Sequence, residues 1–252
     1  MLSLGTVAMG DAGDGDAASI LEDTVAAARS KEPKERLRAV QQALDYAEKD
    51  AIDLGAAPLL VEALEPMLKD NNPKVVQGAL AVLQRMVEAL EEECEPYLSP
   101  FWSPLVERLG DAKTALRERA VDLAVATATL AVAPADALDR LRPAFEHKNW
   151  RARESALHVL ARTLAAHEVR GAATAGLSIK SFVPSVAKLL EDQQLSVRDA
   201  AADALEQMHM HAGDVLIGEL QRSKIRPASL NPILARLRGN SGPLSADERI
   251  DD

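Results

Sequence analysis

Along most of the chain apolar residues return every third or fourth position, and short polar runs interrupt them. Leu157, Leu160, Ala161 and Leu164 fall at i, i+3, i+4 and i+7, one face of a 3.6-residue period. No strand-like alternation of β-branched residues occurs, so the pattern predicts an all-α chain. Pro33, Pro58, Pro73 and either Pro100 or Pro104 each stand where a helix opens, a position at which the missing N–H had no helical partner. The predicted helices pair in order: 19–29 with 33–51, 58–69 with 73–92, one opening at Pro100 or Pro104 with 114–132, 135–146 with 150–168, and 178–190 with 195–211. A shorter pair, 214–223 with 229–238, closes the series. Acidic runs of small residues near both ends predict disordered tails at 1–18 and 239–252 around an ordered domain at 19–238.

Three columns of residues repeat across these pairs. Ala39, Ala79, Ala120, Ala156 and Ala201 recur in steps of 40, 41, 36 and 45 residues. Three positions before them stand Arg36, Arg117, Arg153 and Arg198, with Val76 as the exception. Six positions before that column stand Ser30, Asp70, Asp111, His147 and Asp192. A helix-pair period of about 40 residues marks repeats of the HEAT or armadillo kind, hence an α-solenoid (an armadillo-like superhelix) of about six repeats. The Ser and Asp side chains are expected to cap the turns that follow them. One repeat's Asp is expected to meet the next repeat's Arg in a ladder. The arginines are therefore assigned to the stack rather than to a ligand, because partly buried charges need partners.

Composition narrows the function. Hydrophobic residues make up 47% and aromatics 3%, enough for a continuous core of Ala and Leu. A net charge of -10 argues against a general nucleic-acid binder. The single cysteine, Cys94, allows no internal disulfide and suits a reducing compartment. Residues 1–9 lack the basic leader of a secretory signal, and the longest uncharged stretch, 123–135, falls short of the roughly 20 residues a membrane span needs. A soluble, cytoplasmic monomer with no membrane partner is expected. Catalytic chemistry finds no foothold: His167–Glu168 is a lone His-Glu pair, and His209 and His211 have no paired carboxylates at ligand spacing. Cys94 lies in the acidic run EEECEP, which disfavours a thiolate. No enzyme, metal or cofactor is expected.

Charge is unevenly placed. Windows across the turns inside each pair, at 30–38, 70–78, 111–119, 147–155 and 192–200, carry +2, 0, +1, +2 and -1, together +4, so the rest of the chain carries -14. The opposite edge includes Asp45, Glu48, Asp50, Asp53, Glu88, Glu91, Glu92, Glu93 and Glu95. A basic rim with Trp150, Pro33, Pro73 and Val75 expected among its exposed positions suits a large acidic protein partner. RNA would also accept basic charge, but no stacking aromatics accompany it.

The runs DNNPKVVQGAL at 70–80, ERLGDAKTALRERA at 107–120 and HKNWRARESAL at 147–157 carry a more specific likeness, extended by LLEDQQLSVRDAAADALEQMHM and GELQRSKIRPASLNPILARL. Over 19–238 the chain resembles the TOG domains of the CLASP (CLIP-associating protein) family, most of all the N-terminal TOG domain of plant-type members. The resemblance implies six HEAT repeats whose intra-repeat turns touch αβ-tubulin or the microtubule lattice, and hence a non-catalytic, microtubule-associated module of the cytoskeleton. By position the contact turns are Lys31, Glu32, Pro33 and Lys34; Asn71, Asn72, Pro73, Lys74 and Val75; Ala112, Lys113 and Thr114; Lys148, Asn149, Trp150 and Arg151; and Gln193, Gln194, Leu195 and Ser196. Two turns depart from the tight-binding pattern. Pro33 stands where such domains usually place Trp, and Gln193, Gln194 and Ser196 stand where they tend to carry Lys or Arg. This argues against tight binding of free tubulin and leaves open a weaker mode on the assembled lattice or another partner on the same rim. The alternative is a general HEAT adaptor for another acidic protein on the same edge.

Overall fold

The structure, a computed structural model, describes residues 14–49, 52–169 and 179–240. Of the tails expected at 1–18 and 239–252, residues 1–13 and 241–252 lie outside these residues, as does Asp50 of the acidic set, while 14–18 and 239–240 are helical. Among the described residues every regular element is helical. The chain divides after Pro104 into two compact units.

Unit one holds α1 (Asp14–Ala28), α2 (Pro33–Glu48), α3 (Ala57–Leu68) and α4 (Pro73–Leu90), followed by two 3-10 turns at Glu91–Tyr97 and Ser99–Phe101. The first helix begins at Asp14, ahead of the Ser19 cap expected from sequence. Pro33 and Pro73 open α2 and α4 as anticipated. The Val40 side chain of α2 packs directly onto α4 at Gly78, where an added Cβ would lie 2.5 Å from Val40 Cγ2. Buried Ala39 and Ala43 on α2 and Ala79 on α4 keep the surrounding surfaces low. At the far end of α4 the exposed Glu91, Glu92, Glu93 and Glu95 gather around Cys94, which is fully buried. Burial pushes the Cys94 thiol up to about 12, a stronger bar to thiolate formation than the acidic run alone.

The helix α5 (Trp102–Leu109) carries the chain across the division. Unit two continues with α6 (Thr114–Ala126), α7 (Pro134–Arg140), α8 (Arg142–Phe145), α9 (Trp150–Val169), α10 (Val183–Leu189), α11 (Leu195–Ala212), α12 (Asp214–Arg222) and α13 (Pro227–Asn240). The long helices α6, α9 and α11 lie side by side, with the shorter ones packed against them. Three interruptions escape the hydrophobic pattern. The predicted helix 114–132 widens into a π turn at Thr127–Ala131, where Thr127 Oγ1 donates to the Leu123 carbonyl and Thr129 Oγ1 to that of Val125. The helix predicted over 135–146 breaks at Leu141, because Pro143 has no N–H for the ladder. The helix predicted from 178 opens at Val183, after a 3-10 turn at Ile179–Ser181.

At the far ends of the long helices His167 Nε2 meets the Ala128 carbonyl at 3.2 Å, and His211 Nε2 meets that of Leu164 at 3.1 Å. These histidines tie one helix end to the next. Among the described residues no group of three or more His, Cys, Asp or Glu is placed to hold a metal.

Candidate functional site

The five turns share one hydrogen-bond plan. The first column accepts from the backbone N–H two residues on: Ser30 Oγ from Glu32 (3.1 Å), Asp70 Oδ1 from Asn72 (2.7 Å), Asp111 Oδ1 from Lys113 (2.9 Å), His147 Nδ1 from Asn149 (3.1 Å) and Asp192 Oδ1 from Gln194 (3.0 Å). The arginine column closes four of the turns from the other side; in the second, buried Val76 takes that position. Nη1 of Arg36, Arg117, Arg153 and Arg198 donates to the carbonyls of Ser30, Asp111, His147 and Asp192 at 2.7–3.0 Å. The loop backbone is thus fixed by two side chains, which leaves the residues between them free to face outward.

With Nη1 committed to its own turn, the remaining edge of the guanidinium faces the next one. Arg36 Nε donates to Asp70 Oδ2 at 2.5 Å in unit one. In unit two Arg153 Nε and Nη2 donate to Asp192 Oδ2 and Oδ1 at 2.7 and 2.9 Å. Where it forms, the ladder runs opposite to the expected sense: Arg36 and Arg153 each reach forward to the following Asp. Where the columns depart, so does the bonding. Asp111 pairs with Arg108 at 2.9 Å, and Arg117, followed by His147 rather than an Asp, donates to Thr114 Oγ1 at 3.4 Å. Burial pushes the Asp192 carboxyl up, but hydrogen bonds from the Arg153 guanidinium and the Gln194 N–H outweigh it and hold it below its ordinary value.

The turns within each unit are consequently adjacent. Arg36 and Asp70 join the first and second. In unit two Asn149 Nδ2 donates to the Gly110 carbonyl at 2.6 Å, joining the third and fourth, and the Arg153–Asp192 pair joins the fourth and fifth. The approach at Gly110 is close: a Cβ there would lie 3.0 Å from Asn149 Nδ2 and press on this hydrogen bond.

On these edges Lys31, Pro33, Lys34, Lys74, Lys113, Thr114, Lys148, Gln193, Gln194 and Ser196 are exposed, and Pro73, Asn72, Trp150 and Arg151 are half-buried. Trp150 is the first residue of α9, and the Arg151 guanidinium stacks over its ring at 4.5 Å, presenting cation and indole together. Val75 does not belong to this surface: it is fully buried, so its expected exposure is corrected. The third helical position faces inward in the later turns too, where Leu116, Ala152 and Val197 occupy it and are buried; in the first turn Glu35 stands there, half-buried. Asn72 and Asn149 serve the fold, their Oδ1 atoms accepting from the backbone N–H groups of Lys74 and Arg151. Leu195, 61% exposed at the start of α11, adds an apolar surface that charge counting does not find.

Paired helices joined by short, side-chain-locked turns define a HEAT-repeat domain of the TOG kind. Among solved structures the chain is similar to the MAST/Orbit N-terminal domain, with a TM-score of 0.69 and 25% identity over 86% of this chain and 93% of that one. It is also similar to a TOG domain from work on TOG–tubulin binding specificity in microtubule dynamics and mitotic spindle formation. There the TM-score is 0.70 and the identity 18%, covering 91% of this chain and 90% of the other. The family described as CLASP N terminal matches residues 74–237, and the chain belongs to it. A CLIP-associated protein of Arabidopsis thaliana is 31% identical over 220 residues, which cover 86% of this chain and 15% of that protein. The chain spans 11 to 15% of the length of three curated relatives it matches.

Proposed function

We propose that the chain is a non-catalytic tubulin- or microtubule-binding module that helps regulate microtubule dynamics, engaging its partner through the turn edge of each unit. The observation that carries this reading is the adjacency of turns whose outward positions are cationic. Lys31, Lys34 and Lys74 share one edge in unit one, and Lys113, Lys148 and Arg151 share another in unit two, although the whole chain is acidic. Membership in the CLASP N-terminal family supports tubulin as the acidic partner and a microtubule-associated location. Trp150 and Arg151 are the leading energetic anchors, since Trp and Arg dominate interface hot spots. Pro33 in the first turn and the cation-free fifth turn favour the assembled lattice over free tubulin.

Lys148→Glu combined with Arg151→Glu is expected to abolish co-sedimentation with microtubules while leaving the far-ultraviolet helical signal unchanged. Undiminished pelleting of the double variant would remove the edge from the mechanism. Retention on a tubulin column separates this reading from an adaptor for some other acidic protein.

A further inference from the structure

A second cationic surface lies in unit two, outside the five turns. The short helix α10 and the end of α12 flank a groove of about 500 Å3. Its floor is apolar: Val183 and Ala187 are buried and Ile225 is half-buried. Both carboxylates on its walls are committed. Glu191 accepts from Arg226 Nε at 2.6 Å and from the Arg226 N–H at 3.0 Å, and Glu219 accepts from Arg222 Nη1 at 3.0 Å. Those hydrogen bonds from Arg226 hold the Glu191 carboxyl below its ordinary value, so it stays ionised against that arginine.

The lysines are not committed. Lys180, Lys188 and Lys224 line the same groove, are exposed, and form no ion pair with any described residue. The neighbouring fifth turn, at Gln193, Gln194 and Ser196, has no cation between its two locking residues. Positive charge at this end of unit two therefore sits in the groove and not on the turn. Three exposed ammonium groups, unpaired among the described residues, stand above an apolar floor and form a recognition surface with two chemistries at once. A bare inorganic anion would use only the first, and an uncharged helix only the second.

We propose that this groove binds a short acidic peptide carrying an apolar side chain, supplied by a protein partner. Its carboxylates would meet Lys180, Lys188 and Lys224, and its apolar group would cover Val183, Ala187 and Ile225. Charge complementarity makes the encounter fast and salt-sensitive, while the floor sets the register. Lys188 and Glu191 also line a depression with Lys148 and Gln193, so the groove adjoins the fourth and fifth turns. Lys180, Lys224 and the apolar floor lie outside those turns, and the proposal does not rest on the microtubule reading.

The test is fluorescence anisotropy with a labelled dodecapeptide in which leucine is spaced among glutamates, titrated with the whole chain. Saturable binding is expected. The triple variant Lys180→Glu, Lys188→Glu, Lys224→Glu should weaken it about tenfold or more, and so should raising salt to about 0.5 M. A peptide of glutamates alone should bind more weakly. The Lys148→Glu, Arg151→Glu variant should bind like the parent, which separates this site from the turn edges. Unchanged affinity in the triple variant would overturn the proposal, as would loss of binding in the turn-edge variant or equal binding of the leucine-free peptide. Vesicles containing phosphatidylserine provide the remaining arm. Vesicle binding that the triple variant loses, without any peptide binding, would assign the groove to a membrane and defeat the peptide proposal.

Discussion

Asp192 accepts from Nε and Nη2 along one edge of the Arg153 guanidinium and from the Gln194 N–H, with its side chain only 7% exposed. Removing one partner of such a pair leaves a buried charge without compensation, so Arg153→Ala should cost about 3 kcal/mol in urea-induced unfolding. Lys148→Ala, a few residues away and exposed, should cost almost nothing. The pH dependence follows from the direction of the shift. Because the folded Asp192 carboxyl lies below its unfolded value of about 3.9, the stability it contributes is complete above that value. That contribution is lost as pH falls through the lower folded value. Unfolding curves measured down to about pH 2 should therefore show an acid loss that Asp192→Asn makes shallower.

Among the elements, α9 depends most on a single residue at its start. Asn149 caps the helix through Oδ1 and holds the Gly110 carbonyl through Nδ2. Asn149→Ala should lower stability by about 1–2 kcal/mol, read as a drop in melting temperature. Asn149→Asp keeps the cap acceptor, loses the donor to Gly110, and should fall between the two. Gly78→Val should destabilise unit one by about 2 kcal/mol, because the Cβ contact with Val40 leaves no room and outweighs the gain from removing a helical glycine. Much of this level was legible beforehand. Pro33, Pro73, Thr114, Trp150 and Leu195 open their helices where the pattern put them, and all five alanines of the repeated column are buried. The burial of Val75 was legible too, in principle, because it stands four residues before Ala79 on the same helical stripe, as Leu116 stands before Ala120. The π turn after Ala126 and the groove beside α10 were not legible. The first depends on threonine hydroxyls choosing backbone carbonyls, and the second on helices distant in sequence coming together.

At the scale of the whole molecule, the proposed function rests on charge placement that a net value of -10 conceals. Lys31→Glu, Lys34→Glu and Lys74→Glu together reverse the edge of unit one without touching a buried residue. Microtubule affinity should fall about tenfold with the helical signal retained, and the parent's affinity should itself decline steeply as ionic strength rises. What each turn displays is also separable from what holds it. The Arg-to-carbonyl bond and the first-column cap use backbone atoms, so they are indifferent to the identity of the side chains lying between them. Specificity could then drift quickly while the scaffold stays put, each loop acting as an independently editable letter in the address that the domain reads.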